Sequence, residues 1–105
     1  MINKNSIKII TLNERGEKIV IFGIFYLSDI NKLISIAEEH NMPCLGFISQ
    51  CEDTYFNEEQ CKIIKEELKI LQSHKELNKN LLDTLFAAAN SSIIGYSYIK
   101  IEGCI

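Results

Sequence analysis

The run Ile19 to Leu27 (Ile-Val-Ile-Phe-Gly-Ile-Phe-Tyr-Leu) constrains what this chain can fold into more than any other segment, because only Gly23 interrupts its apolar character. It is far shorter than the ~20 residues a membrane-spanning helix needs. Its β-branched and aromatic side chains favour a strand. Because the run is apolar on both alternating faces, the strand is predicted to lie inside a sheet or to be covered on both sides. Glu14 and Glu17 precede it and no small-x-small site follows before Ser28-Asp29, which argues against a signal peptide.

Upstream, Ile7, Ile9, Ile10 and Leu12 form a shorter β-rich run, and Asn13-Glu14-Arg15-Gly16 supplies turn chemistry, so the two runs predict a β-hairpin. Ser28 is the expected N-cap of a first helix, with Asp29 near its positive end. Ile30, Leu33, Ile34 and Ala37 recur at helical spacing, and Asn41 before Met42-Pro43 is expected to end that helix in a left-handed conformation. Residues 44–49 fit an edge strand or an extended connector equally well. Asn57 and Gln60 stand at capping-box spacing, and a second helix carrying Cys61, Ile64, Leu68 and Leu71 is expected to run to about His74. A third stripe (Leu81, Leu82, Leu85, Phe86, Ala89) should end near Asn90-Ser91-Ser92. Residues 93–102 then return to β character, with Tyr96 and Tyr98 on one face and Ile99 and Ile101 on the other. The predicted class is α+β, an antiparallel sheet of the N-terminal hairpin and the C-terminal strand packed against about three helices. At 105 residues, 47% hydrophobic and 24% charged, with one proline, residues 1–105 are expected to form one soluble domain. With no export signal found, the expected location is the cytoplasm, with Cys44, Cys51, Cys61 and Cys104 as reduced thiols.

Catalytic parts are sparse. His40 and His74 form no HxxxH or HExxH pattern and the cysteines no CxxC pair, so neither a metal nor another cofactor is expected. A cysteine nucleophile meeting a histidine in the fold stays open as a minor alternative, although Cys61 lies on an apolar face and Cys51 has acidic neighbours that disfavour a thiolate. The five glycines are scattered singly and the lysines dispersed. No phosphate-cradling loop or basic stripe results, and direct nucleic-acid binding is not expected.

Charge is distributed unevenly. Between Leu33 and Cys61 there is no lysine or arginine but there are six carboxylates (Glu38, Glu39, Glu52, Asp53, Glu58 and Glu59), a local charge of −6 in a chain of net −3. Each part of Glu52–Glu59 has a structural explanation: Phe56 as the apolar residue before an N-cap, Glu58 and Glu59 as helix-dipole partners, Glu52-Asp53 as loop polarity. None explains the lack of basic residues, whereas an interface for a cationic partner would: carboxylates steer association and an aromatic from Tyr55-Phe56 anchors it. Glu38 and Glu39 join that surface only if the end of the first helix lies beside the loop.

The segment Leu27–Phe47, the acidic aromatic loop Glu52–Phe56, the helix bearing Leu68 and Leu71, the Leu/Ala-rich helix Leu81–Ala89 and the strand Ile93–Ile101 together resemble small immunity proteins encoded beside bacterial polymorphic toxins, including those of contact-dependent growth inhibition. The resemblance implies a cytosolic antitoxin that binds and inhibits a cognate toxin domain without catalysis. Many such toxins are nucleases with basic clefts, which an acidic surface can occupy in place of the polyanion. The expected partner-binding residues are Glu52, Asp53, Tyr55, Phe56, Glu58 and Glu59, with Glu38 and Glu39. The alternative is a small adaptor or oligomerising subunit that uses the same loop for assembly.

Overall fold

The structure, a computed structural model, describes residues 6–49, 52–95 and 97–103. Tyr96, Cys51 and Cys104, each singled out in the sequence, lie outside these residues. The fold is α+β, in the order β1 (Ser6–Leu12), β2 (Lys18–Tyr26), α1 (Leu27–Glu39), β3 (Thr54–Phe56), α2 (Glu58–Leu71), α3 (Lys79–Gly95) and β4 (Tyr98–Glu102). All pairings are antiparallel and the strand order is β2-β1-β4-β3.

The expected hairpin forms through Asn13, whose side-chain oxygen accepts the backbone N–H groups of Arg15 and Glu17, while Gly16 takes φ +80°. An L side chain there would be strained, so the turn needs glycine. Ile7, Ile9, Phe25, Ile99 and Ile101 point to one face of the sheet and share a core with Ile30, Leu33, Ile64, Leu68, Leu81 and Leu85 from the helices. This one-sided packing produces the apolar/polar alternation of β4, where Ile99 and Ile101 are fully buried and Tyr98 is exposed.

β2 is an edge strand, not the inner strand its apolar run predicts. Val20, Ile21 and Ile24 are 44%, 49% and 57% exposed. Its register against β1 shifts twice, between Ile9 and Ile10 and between Thr11 and Leu12. A bulge raises local twist and is a common way to blunt an edge against further pairing.

Helix boundaries also differ from expectation. α1 starts at Leu27 after an extended Tyr26 with no side-chain cap, so Ser28 is inside the first turn and not the N-cap. Its end follows the expected chemistry: Asn41 has φ 56°, its N–H bonds to Glu38 O, and Met42 N–H bonds to Ala37 O, a Schellman closure with Met42 and Ala37 both buried. Residues Leu45–Phe47 form a 3₁₀ turn, neither the strand nor the extended connector foreseen. It is held from a distance, because the buried Glu67 carboxylate of α2 accepts the N–H groups of Cys44 (3.1 Å) and Leu45 (2.9 Å).

The α2 capping box forms in both directions, Gln60 N–H to Asn57 Oδ1 and Asn57 N–H to Gln60 Oε1, each at 2.9 Å. The helix ends at Leu71, three residues before His74. Asn78 starts α3 by accepting the N–H groups of Asn80 and Leu81, and its amide donates to Asp29 on α1. α3 continues through Asn90-Ser91-Ser92 to Gly95, and Ser92 is wholly buried. β4 therefore begins at Tyr98 rather than at Ile93.

Candidate functional site

On the face of the sheet away from the helices, strand register determines the neighbours: Ile10 and Leu12 at its centre are buried, while Ile21, Ile24, Tyr55 and Tyr98 around them are exposed. Tyr55 pairs with Lys100, Lys100 with Ile10, and Ile10 with Ile21, so one row crosses all four strands. Lys8 pairs with Glu102 on one side and Ile24 on the other. The β2 end of this face is apolar, with Ile21, Ile24 and Tyr26 exposed, while the β3 end is aromatic and acidic.

Tyr55 is 53% exposed and Phe56 only 1%. Alternation along β3 forces that split, sending Phe56 into the helix-packed core and Tyr55 outward. Of the aromatic pair, only Tyr55 is placed to anchor a partner; Phe56 is a core residue, a correction to its expected binding role. Tyr98, on the same face two residues from Lys100, adds a second half-exposed ring. Beside it, Glu14 of the hairpin turn, Asn57, Glu58 and Glu59 at the start of α2, Ser97 and Tyr98 line an open groove of about 430 Å³. Among the described residues, three carboxylates and no lysine or arginine line this groove.

The acidic segment is less bare than its sequence. Lys62, one turn into α2, lies 3.1 Å from Glu59 and 3.9 Å from Glu58. Lys100 reaches Asp53 at 3.5 Å and Glu102 at 3.3 Å, and its ammonium sits 5.8 Å from the centre of the Tyr55 ring. Partial burial works against the charge of Lys100, yet the hydrogen bond to Glu102 and the field of Asp53 hold its pKa above the usual lysine value. Asp53 also accepts Gly103 N–H at 3.0 Å, tying the acidic loop to the end of β4. A Cβ on Gly103 would come within 2.5 Å of Glu52 O, so that approach requires glycine. At this end of the molecule, Lys62 meets Glu58 and Glu59, Lys100 meets Asp53 and Glu102, and Lys8 stands opposite Glu102 across the strand pair, so the acidic residues are interleaved with lysines.

Glu38 and Glu39 do not join it. They lie at the end of α1 next to His40, which meets His74 just past the C-terminal end of α2, whereas Glu58 and Glu59 occupy the N-terminal end of that helix. Fourteen residues of helix, about 20 Å at 1.5 Å per residue, separate the two ends of α2.

Of the cysteines that could serve as a nucleophile, Cys51 and Cys104 lie outside the described residues, and Cys44 and Cys61 are buried. Burial, with Glu67 nearby, pushes the Cys44 thiol up to about 11, and burial does the same to Cys61. Neither is a thiolate near neutral pH. The two histidines bond to each other. Among the described residues no group of three or more His, Cys, Asp or Glu could hold a metal ion, and no helix is long and apolar enough to cross a membrane. No family model, curated protein or solved structure matches this chain.

Proposed function

We propose that this chain is an immunity protein: a cytoplasmic, non-catalytic inhibitor that binds a basic bacterial toxin domain, most simply a nuclease, through the acidic aromatic end of its sheet. The observation that carries this reading is the groove lined by Glu14, Glu58 and Glu59 and flanked by the exposed rings of Tyr98 and Tyr55. The carboxylates stand in for a polyanionic substrate and raise the association rate, and the tyrosines supply contact area at small entropic cost. Glu52, Asp53, Tyr55, Glu58 and Glu59 remain in the proposed binding set, joined by Glu14 and Tyr98. Inhibition is then steric and electrostatic.

Co-expression with the toxin domain encoded in the adjacent gene tests the reading. The wild-type chain should restore growth of cells making the toxin, and a Glu52→Lys/Glu59→Lys/Tyr55→Ala variant that melts like the wild type should not. Equal protection by the variant would remove this surface from the mechanism, and lack of protection by the wild-type chain would remove the function.

One observation favours the alternative of an assembly subunit: the exposed Val20, Ile21, Ile24 and Tyr26 on β2, at the far edge from the acidic end. Self-association that persists at micromolar protein and disappears on Ile24→Lys substitution would favour that reading.

A further inference from the structure

His40 and His74 meet where the end of α1 approaches the connection between α2 and α3. Their Nε2 atoms are 3.1 Å apart, with ring planes at 80° and centroids 5.1 Å apart. On the other side of His74, Nδ1 lies 3.1 Å from Glu76 Oε1. A carboxylate offers no proton, so His74 Nδ1 donates to Glu76; in the tautomer protonated at Nδ1 alone, the Nε2 lone pair of His74 then faces His40 Nε2.

This is the arrangement of a metal-binding histidine: one nitrogen fixed by a carboxylate, the other presenting a lone pair. With metal–nitrogen bonds of about 2.05 Å, nitrogens 3.1 Å apart subtend about 98° at a shared ion, slightly below the tetrahedral angle. We propose that His40 and His74 bind a divalent transition-metal ion of the zinc type through their Nε2 atoms, with Glu76 orienting His74. To bind the ion, His40 carries its proton on Nδ1 so that its Nε2 lone pair is free. Imidazole ligands select zinc, copper or nickel over magnesium or calcium. No third described side chain completes the set, so water fills the remaining positions and the site is open. His40 is exposed and the His74 side chain is 26% exposed, which gives an ion access. The bound ion would pin the end of α1 to the α2–α3 connection, reinforcing the hydrogen bond from Asn78 to Asp29 near the start of α1.

Calorimetric titration of the reduced full-length chain with zinc chloride in a non-coordinating buffer tests the site. One zinc per chain is expected, lost in His40→Ala and in His74→Ala, and roughly 10–100-fold weaker in Glu76→Gln, the usual effect of removing a carboxylate behind a ligating histidine. NMR of the wild type addresses the same question without a variant: zinc should shift the Cε1–H signals of both histidines together. Absence of saturable zinc uptake, uptake that survives both alanine substitutions, or histidine signals unmoved by zinc would overturn the proposal.

Discussion

Glu67→Ala should destabilise the protein strongly, although Glu67 has no ion-pair partner among the described residues. In the folded chain this carboxylate is 5% exposed and accepts the N–H groups of Cys44 and Leu45, themselves 5% and 0% exposed. Hydrogen bonds to charged groups contribute about 1.5–3 kcal/mol each, and alanine leaves two backbone donors unsatisfied in a dry site. Taking the lower figure for both gives about 3 kcal/mol. An unfolding entropy of about 2.1 cal/mol/K per residue gives roughly 0.22 kcal/mol/K for this chain, so the midpoint should fall by about 14 °C. Glu67→Gln keeps one side-chain acceptor and should lose at least half as much. Scanning calorimetry at neutral pH gives both values. A fall of less than about 4 °C for the alanine variant would mean that water or a backbone shift replaces the carboxylate, and that the 3₁₀ turn does not depend on it.

Asn57→Ala removes the side-chain half of the α2 capping box and should cost about 1 kcal/mol in denaturant unfolding, with little change in slope. Gly103→Ala forces a methyl against Glu52 O and should destabilise by about 1–3 kcal/mol, with the Asp53 and Glu52 amide resonances among those that move most. Cys44 and Cys61 have folded pKa values raised to about 11 from 9.0, so the native state holds protons that the unfolded state releases first. The contribution of these two thiols to stability should therefore be constant below about pH 9 and be lost between pH 9 and 11, and a Cys44→Ala/Cys61→Ala variant should lack much of that alkaline decline. A wild-type profile flat to pH 11 would contradict the burial of these thiols.

Local chemistry was legible in the sequence wherever one or two neighbouring residues decide it. The Asn57/Gln60 box, the Asn41 closure of α1, the hairpin turn at Asn13–Gly16 and the buried Ile99/Ile101 face all form as their spacing predicts. What the sequence hid depends on partners distant along the chain. The apolar run of β2 cannot report that it lies at the edge of the sheet with Val20, Ile21 and Ile24 exposed, since apolar faces and buried faces look alike in sequence. Glu67 stands three residues from Ile64, at the border of the apolar stripe of α2. That position hinted at burial, but its partners at Cys44 and Leu45 were not legible. Asn78, three residues before Leu81, carried a readable capping signal that the polar break around it obscured. At the candidate site, the exposure of Tyr55 beside Asp53 and Glu52 follows from their closeness in sequence. Lys62 and Lys100, which moderate their charge, come from outside the acidic window. Tyr98 and Glu14 reach the groove only through strand pairing, and the separation of Glu38 and Glu39 follows from the course of α2.

Calorimetric titration of the adjacent-gene toxin domain into this protein, at low and then moderate salt, tests the central claim most directly. The account predicts tight binding that weakens as salt rises, and a smaller salt dependence with weaker binding in Glu52→Lys/Glu59→Lys/Tyr55→Ala. Tight binding indifferent to both salt and these substitutions would place the interface elsewhere, and no binding at either salt would contradict the immunity function itself.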